Sequence, residues 1–442
     1  MRGQVSLILI LATTAAWPQV APGATGGYPT TDTQMMTPPP VSGIAYPTEV
    51  GAEARTNYLN GGLTTTAAYV NNLYAGSSYA AMAETTVSLL PTIAYDTTTA
   101  RQHTRFSYSA GFTFYQPSST LNEVDNTVTF NYSFRLTQHA TLSAADRFQD
   151  SSSPFIPGQA GGSVSGGGES FTPGAIPPFA KRLTNSASVE FTLQTAPNVM
   201  IGGSGSSMVL HFPDPAQTPG LYDSSSRGGT FFYNRRISRS HYFGAFYQYM
   251  DMLTDPANGI NATQTQAQNV TGFYTFYPMT KLSLSVSAGP QYYRTVQTPE
   301  PVIASWGLSL STSMGWQGPH TSFAANYSQA VTGGGGLVGA YHSRTANASA
   351  RWQMTRLWIA SASGAYAINE SVSPLLIRGD QSGHSISGTA TLERRLGNQC
   401  SIAFHYDRIH QSYGEIAAIA ADPNSDRETI SITWHFARPL GR

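Results

Sequence analysis

From Leu63 to Phe436 apolar and small polar residues alternate almost one for one, and no other feature constrains the fold of this chain as tightly. A period of two places neighbouring side chains on opposite faces of a strand. In the run 281–289, Leu282, Leu284, Val286 and Ala288 share one face, and Ser283, Ser285, Ser287 and Gly289 share the other. The next run sets Trp306, Leu308, Leu310, Thr312, Met314 and Trp316 against Gly307, Ser309, Ser311, Ser313 and Gly315. The runs through Phe106–Phe114, Val128–Leu136 and Ala187–Leu193 read the same way.

The polar faces decide which side meets water. Faces of Ser, Thr and Gly cannot close a large barrel by packing, but they can line an aqueous lumen. The opposite faces carry Phe, Leu, Trp and Tyr, which suit hydrocarbon. Trp306 and Trp316 lie ten residues apart, which on a tilted strand is about 25 Å along a membrane normal, one for each interface. The charged fraction is 11%, against about 25% in soluble domains. Yet mean hydropathy is only −0.20, because the polar residues are mostly uncharged. The expected fold is therefore all-β: a transmembrane up-and-down antiparallel β-barrel, closed so that no backbone edge faces lipid.

Other classes fall away on simple counts. Twenty-four basic and 24 acidic residues leave no basic excess for nucleic acid. One cysteine, Cys400, excludes an intrachain disulfide framework; its parity places it toward lipid as an apolar filler. No apolar run reaches the length of a membrane-spanning helix.

Residues 1–16 read as a signal peptide, with Arg2 before an apolar core from Val5 to Leu11 and small residues beyond it. Residues 17–58, rich in Pro, Thr and Gly, read as a flexible periplasmic tail. Residues 59–442 read as the barrel, with about 18 strands. Sixteen is the alternative, because the segments near 63–73, 140–147 and 199–211 alternate weakly. Tight turns near 137–139, 196–198, 238–239 and 317–319 alternate with long connections near 148–183, 213–224, 369–380 and 409–426. Short periplasmic turns and long outer loops follow that rule.

The last run, Thr429 to Phe436, puts Ile430, Ile432, Trp434 and Phe436 on one face. It resembles the C-terminal strand of bacterial outer-membrane proteins, whose terminal aromatic is read by the barrel assembly machinery. Here Ala437 to Arg442 follow that aromatic, so recognition would be internal. From about residue 60 to 436 the chain resembles the β-barrel porins found with exopolysaccharide export systems. The resemblance implies a bacterial outer-membrane location among outer-membrane lipid. It also implies a channel passing small hydrophilic solutes or an exported polysaccharide, with no catalytic residues to carry over. The reading kept beside it is a non-conducting outer-membrane adhesin or scaffold acting through its outer loops. Monomer against trimer stays open.

An 18-strand cylinder has a backbone diameter of about 36 Å and a lumen of about 15 Å unless something fills it. The candidate filler is the third outer loop, 148–183, whose Asp150, Glu169, Lys181 and Arg182 would shape a constriction; a surface loop is the plainer reading. By parity Arg105, Arg135, Glu190, Arg236, Arg351, Glu393, Arg395, His405 and Asp407 line the pore. Arg135, Arg236, Arg351 and Arg395 each fall near the periplasmic end of a descending strand. They would form a basic ring favouring anions, unless Glu190, Glu393 and Asp407 neutralise it or the arginines anchor turns. No enzyme is expected. His405 and Asp407 share a face but have no nucleophile motif beside them. The ten histidines show no metal spacing, and Gly333–Gly336 lacks the Lys-Ser/Thr of a phosphate loop, so no cofactor or metal is expected either.

Overall fold

The computed structural model describes residues 35, 41 and 57–440, except 74–81, 156–178, 216–217, 219, 256–261, 280, 298–301, 334–335, 338, 373–381, 398 and 414–423. The signal peptide and Glu169 lie outside the described residues, as does most of the tail.

Eighteen strands run in sequence: β1 Tyr58–Val70, β2 Glu84–Thr98, β3 Gln102–Gln116, β4 Glu123–Arg135, β5 Ala140–Ser151 and β6 Arg182–Ala196. Then come β7 Val199–His211, β8 Asp223–Ser238, β9 His241–Asp255, β10 Thr263–Met279, β11 Leu282–Gln297 and β12 Ile303–Gln317. The set ends with β13 Thr321–Gly333, β14 Ala340–Gln353, β15 Trp358–Ser371, β16 Gly383–Arg395, β17 Cys400–Tyr413 and β18 Asn424–Pro439. Each pairs antiparallel with its sequence neighbour, and β1 pairs with β18, so the sheet closes on itself. The three weakly alternating segments are strands β1, β5 and β7, which is why the count is 18 rather than sixteen.

Leu308 is 54% exposed and Ile432 51%, while Ser283, Ser285 and Ser287, on the other face of the same wall, are buried. The apolar faces therefore look outward. Trp306 and Trp316 both lie on the outer face, where the Tyr292 ring sits tilted against Trp306 with centroids 5.3 Å apart. A closed cylinder with an apolar exterior satisfies its backbone internally and is stable only with hydrocarbon around it. The protein is an outer-membrane β-barrel.

Hydroxyls on neighbouring strands pair across the inner wall. Thr64 meets Thr433 at 3.0 Å, Thr265 meets Thr295 at 3.0 Å, and Ser328 meets Thr345 at 2.6 Å. A Cβ on Gly61 would lie 2.0 Å from the Phe436 ring, so glycine there lets the last strand's aromatic lie over the first strand in its present position.

One seam departs from the ideal cylinder. The β12–β13 ladder stops at Leu310–Gln329, although β12 continues upward to Ile303. Above that point β13 stays paired with β14, from Ala330–Ser343 to Gly333–Ala340. The hairpin tip thus leaves the wall.

Candidate functional site

The departing tip turns inward. A Cβ on Gly307, on the inner face of β12, would lie 3.6 Å from Val331 and 3.8 Å from His342. Both residues continue the outward parity of β13 and β14, so meeting them behind β12 means that the tip has slid inside the wall. Gln291 holds it there. This inward side chain of β11 is 2% exposed, accepts from the Val331 N–H at 2.7 Å and donates to the Val331 carbonyl at 3.0 Å. The carboxamide thereby replaces the ladder bonds that β13 gave up on leaving β12. Further along, Tyr222 N–H donates to the Gly336 carbonyl at 2.8 Å. Leu337 packs with Leu210, Phe212, Leu221, Tyr341 and Tyr413, brought from β7, the start of β8 and the end of β17. These strands stand on nearly opposite sides of the cylinder. The described tip residues, Ala330–Gly333, Gly336, Leu337 and Gly339–Tyr341, therefore form a flap across the long-loop end of the barrel.

A second intrusion comes from the third outer connection. Phe155 is buried with Val70, Leu73, Tyr115 and Ile409, which face inward from the strands around the β1–β18 closure. The Arg427 guanidinium lies 5.9 Å from the Phe155 ring. Phe179, at the returning end of the connection, meets Tyr115 edge-on at 5.4 Å. Arg182 is fully buried and donates to the Ser153 carbonyl at 2.6 Å.

The expected constriction residues separate. Arg182 faces inward, opposite Ser151. Asp150 and Lys181 form an ion pair at 3.5 Å, but strand alternation puts Asp150 in the row of Phe148 and Val124 on the outer side of the rim. That pair is corrected to an outer-rim position, because one residue of shift along a strand exchanges lumen for exterior.

The tail reaches the inner wall near the short turns through its described residues. Expected to be a flexible segment, it has its two described residues, Met35 and Val41, buried against Met200, Phe232, Tyr242, Phe273 and Tyr277. The Met35 N–H donates to Gln194 Oε1 at 3.4 Å. This aromatic patch lies on the inner face of β7–β10, where water lining would call for polar residues.

The pore-lining candidates all take inward register positions. Arg105 stands opposite Asp96, Glu190 opposite Ser143, and Glu393 opposite Ala403. Arg135, Arg236, Arg351 and Arg395 sit near the short-turn ends of β4, β8, β14 and β16. Arg236 anchors a turn: its Nε and Nη2 donate to Asn198 Oδ1 at 3.1 and 3.0 Å, and Nη2 also reaches the Pro197 carbonyl at 3.1 Å. His405 lies between Thr391 at 3.0 Å and Ser431 at 3.2 Å, whereas Asp407 accepts from Thr389 at 2.8 Å. The two are thus spent on separate hydroxyls of the inner wall.

The sequence reading missed the flap and the aromatic patch. The flap had a signal in the Gly333–Gly336 run followed by Leu337. The patch had one in β10, where Phe273 and Tyr277 face one way and Tyr274 and Phe276 the other. Aromatics on both faces contradict a purely aqueous lining.

No protein-family model matches the chain, and no curated protein matches it. Among solved structures, the FrpB iron transporter of Neisseria meningitidis (F5-1 variant) is similar at TM-score 0.43 and 9% identity, over 87% of this chain and 83% of that one. OpdK of Pseudomonas aeruginosa with vanillate gives 0.41 and 9%, over 86% and 99%. The ferric-catecholate import receptor Fiu of E. coli K12 gives 0.42 and 10%, over 85% and 81%.

Proposed function

We propose that the protein is a porin-like channel for small hydrophilic solutes or an exported polysaccharide, whose passage is set by the flap and the third outer connection. The observation that carries this is the Gln291–Val331 latch. A hairpin that served only as wall would keep its ladder to β12; this one gives it up and is re-bonded by a side chain inside the lumen. The inner wall between the fillings is lined by Ser, Thr, Asn and Gln hydroxyls and amides, which match the hydrogen-bonding of sugars and other uncharged polar solutes. Arg135, Arg351 and Arg395 bias the periplasmic mouth toward anions, and Glu393 beside Arg395 weakens that bias.

The non-conducting scaffold is the second reading, favoured by the filling of both ends with apolar side chains. Purified protein in planar bilayers separates the two. Stepwise conductance supports the channel, and its block by polysaccharide fragments assigns the cargo. A silent bilayer at every voltage, from barrels shown to be folded by heat-modifiable gel migration, would leave only the scaffold.

A further inference from the structure

Six apolar side chains share the inner wall near the short turns: Met200 of β7, Phe232 of β8, Tyr242 and Phe246 of β9, and Phe273 and Tyr277 of β10. Two of the rings are laid along the wall. A Cβ on Gly202 would lie 2.4 Å from the Phe232 ring, and one on Gly244 would lie 2.6 Å from the Phe273 ring. Gly202 stands opposite Phe232 in the register, and Gly244 opposite Phe273. Each ring therefore lies over the glycine of the neighbouring strand instead of standing out into the lumen. Tyr242 meets Tyr277 edge-on at 5.7 Å, and Phe246 lies 6.3 Å from Phe273. The result is a shelf, apolar on its open side, which is stable only under an apolar cover.

The shelf has an occupant. Met35 and Val41 are each 6% exposed and belong to the same cluster. The Met35 N–H donates to Gln194 Oε1 at 3.4 Å, and Gln194 Nε2 donates to the Pro197 carbonyl at 3.2 Å, which ties the contact to the β6–β7 turn. Charge matches as well. Residues 17–57 carry Asp32, Glu49 and Glu53 against Arg55. The short turns carry Arg101, Arg239, Lys281 and Arg356 and no carboxylate, so an acidic segment is drawn toward that end. The hold itself is small: two apolar side chains and one long hydrogen bond. The chain rejoins the wall at Tyr58, at the same end of the barrel, so the segment stays at high local concentration after it lets go.

We propose that the shelf is a docking site for the chain's own segment around Met35 and Val41, which acts as a tethered, releasable block at the short-turn mouth. The block rests on the channel reading; the docking does not.

A single thiol reports the docking. The full chain carrying Cys400→Ser and Val41→Cys, folded in detergent, is treated with a maleimide. Modification should be slow, and adding Met35→Asp should speed it about tenfold. Mean conductance in planar bilayers reports the block. Met35→Asp combined with Val41→Asp, which alters no strand, should conduct more than wild type, and an added peptide of residues 28–48 should restore the lower level. Equal thiol rates with and without Met35→Asp would overturn the docking. So would protection lost on dilution, which would assign the shelf to the tail of a second copy. A protected thiol with conductance unchanged by the double substitution would overturn the block and leave the channel standing. Silence of both proteins would remove the channel and the block together, with the docking still decided by the thiol rates.

Discussion

Replacing Gln291 by Ala should loosen the flap, and the size of the effect follows from the latch. The change removes two hydrogen bonds to the Val331 backbone, at 2.7 and 3.0 Å, from a side chain that is almost wholly buried. While the flap stays closed, the Val331 N–H and carbonyl have no replacement partner and cost about 1–3 kcal/mol each. Once it swings out they meet water, so the difference between closed and open is nearer the net value of two bonds, about 2 kcal/mol. That shifts the closed-to-open ratio about 30-fold. The flap keeps its second hold at Leu337, whose burial contributes about 1.5–3 kcal/mol, so the variant should flicker between levels instead of standing open. Single-channel recording reads this directly, as more frequent excursions to a higher conductance level than in wild type. Gln291→Glu should loosen the flap at least as much as Gln291→Ala, because a carboxylate buried there pays a desolvation cost and sets its second oxygen against the Val331 carbonyl. Identical dwell times in wild type, Gln291→Ala and Gln291→Glu would show that the flap does not control passage.

Leu337→Asp should act in the same direction by placing a charge in the apolar cluster, and an increase in mean conductance measures it. Arg135→Gln combined with Arg351→Gln should move the reversal potential in a salt gradient toward cations; an unmoved potential would dismiss the basic ring. Val286→Arg, on the outer face of β11, should cost about 2–4 kcal/mol of stability if it sits near the bilayer midplane, read by urea unfolding in lipid vesicles. Gly61→Leu should slow or block closure of β1 on β18, because Phe436 occupies the space of its side chain; heat-modifiable gel migration follows the fraction closed.

The wall was legible from the sequence because it repeats. Leu282, Leu284 and Val286 alternate with serines over the length of a strand, and such a pattern has one low-energy arrangement in a bilayer. Strand count, lipid face and inward parity of residues such as Arg105 and Glu190 all follow from that period. Weak alternation in β5 and β7 blurred the count only until the neighbouring strands supplied their partners.

Single insertions carry no period, so they left little trace. Asp150 and Arg182 belong to one connection, yet one stands at the outer rim and the other in the lumen, because a strand end sets the parity to a single residue. Met35 and Val41 are two apolar residues in a polar tail, and their burial needs an aromatic patch contributed by four strands far along the chain. The flap needs Gln291 from β11 to take over the bonds that β13 lost, and Leu210, Leu221 and Tyr413 to receive Leu337. Alternation by itself determined that this chain makes a cylinder in hydrocarbon. Contacts between residues distant in sequence decided what stands inside it, since the energy that draws a hairpin off its ladder exists only when the opposite wall is already in place.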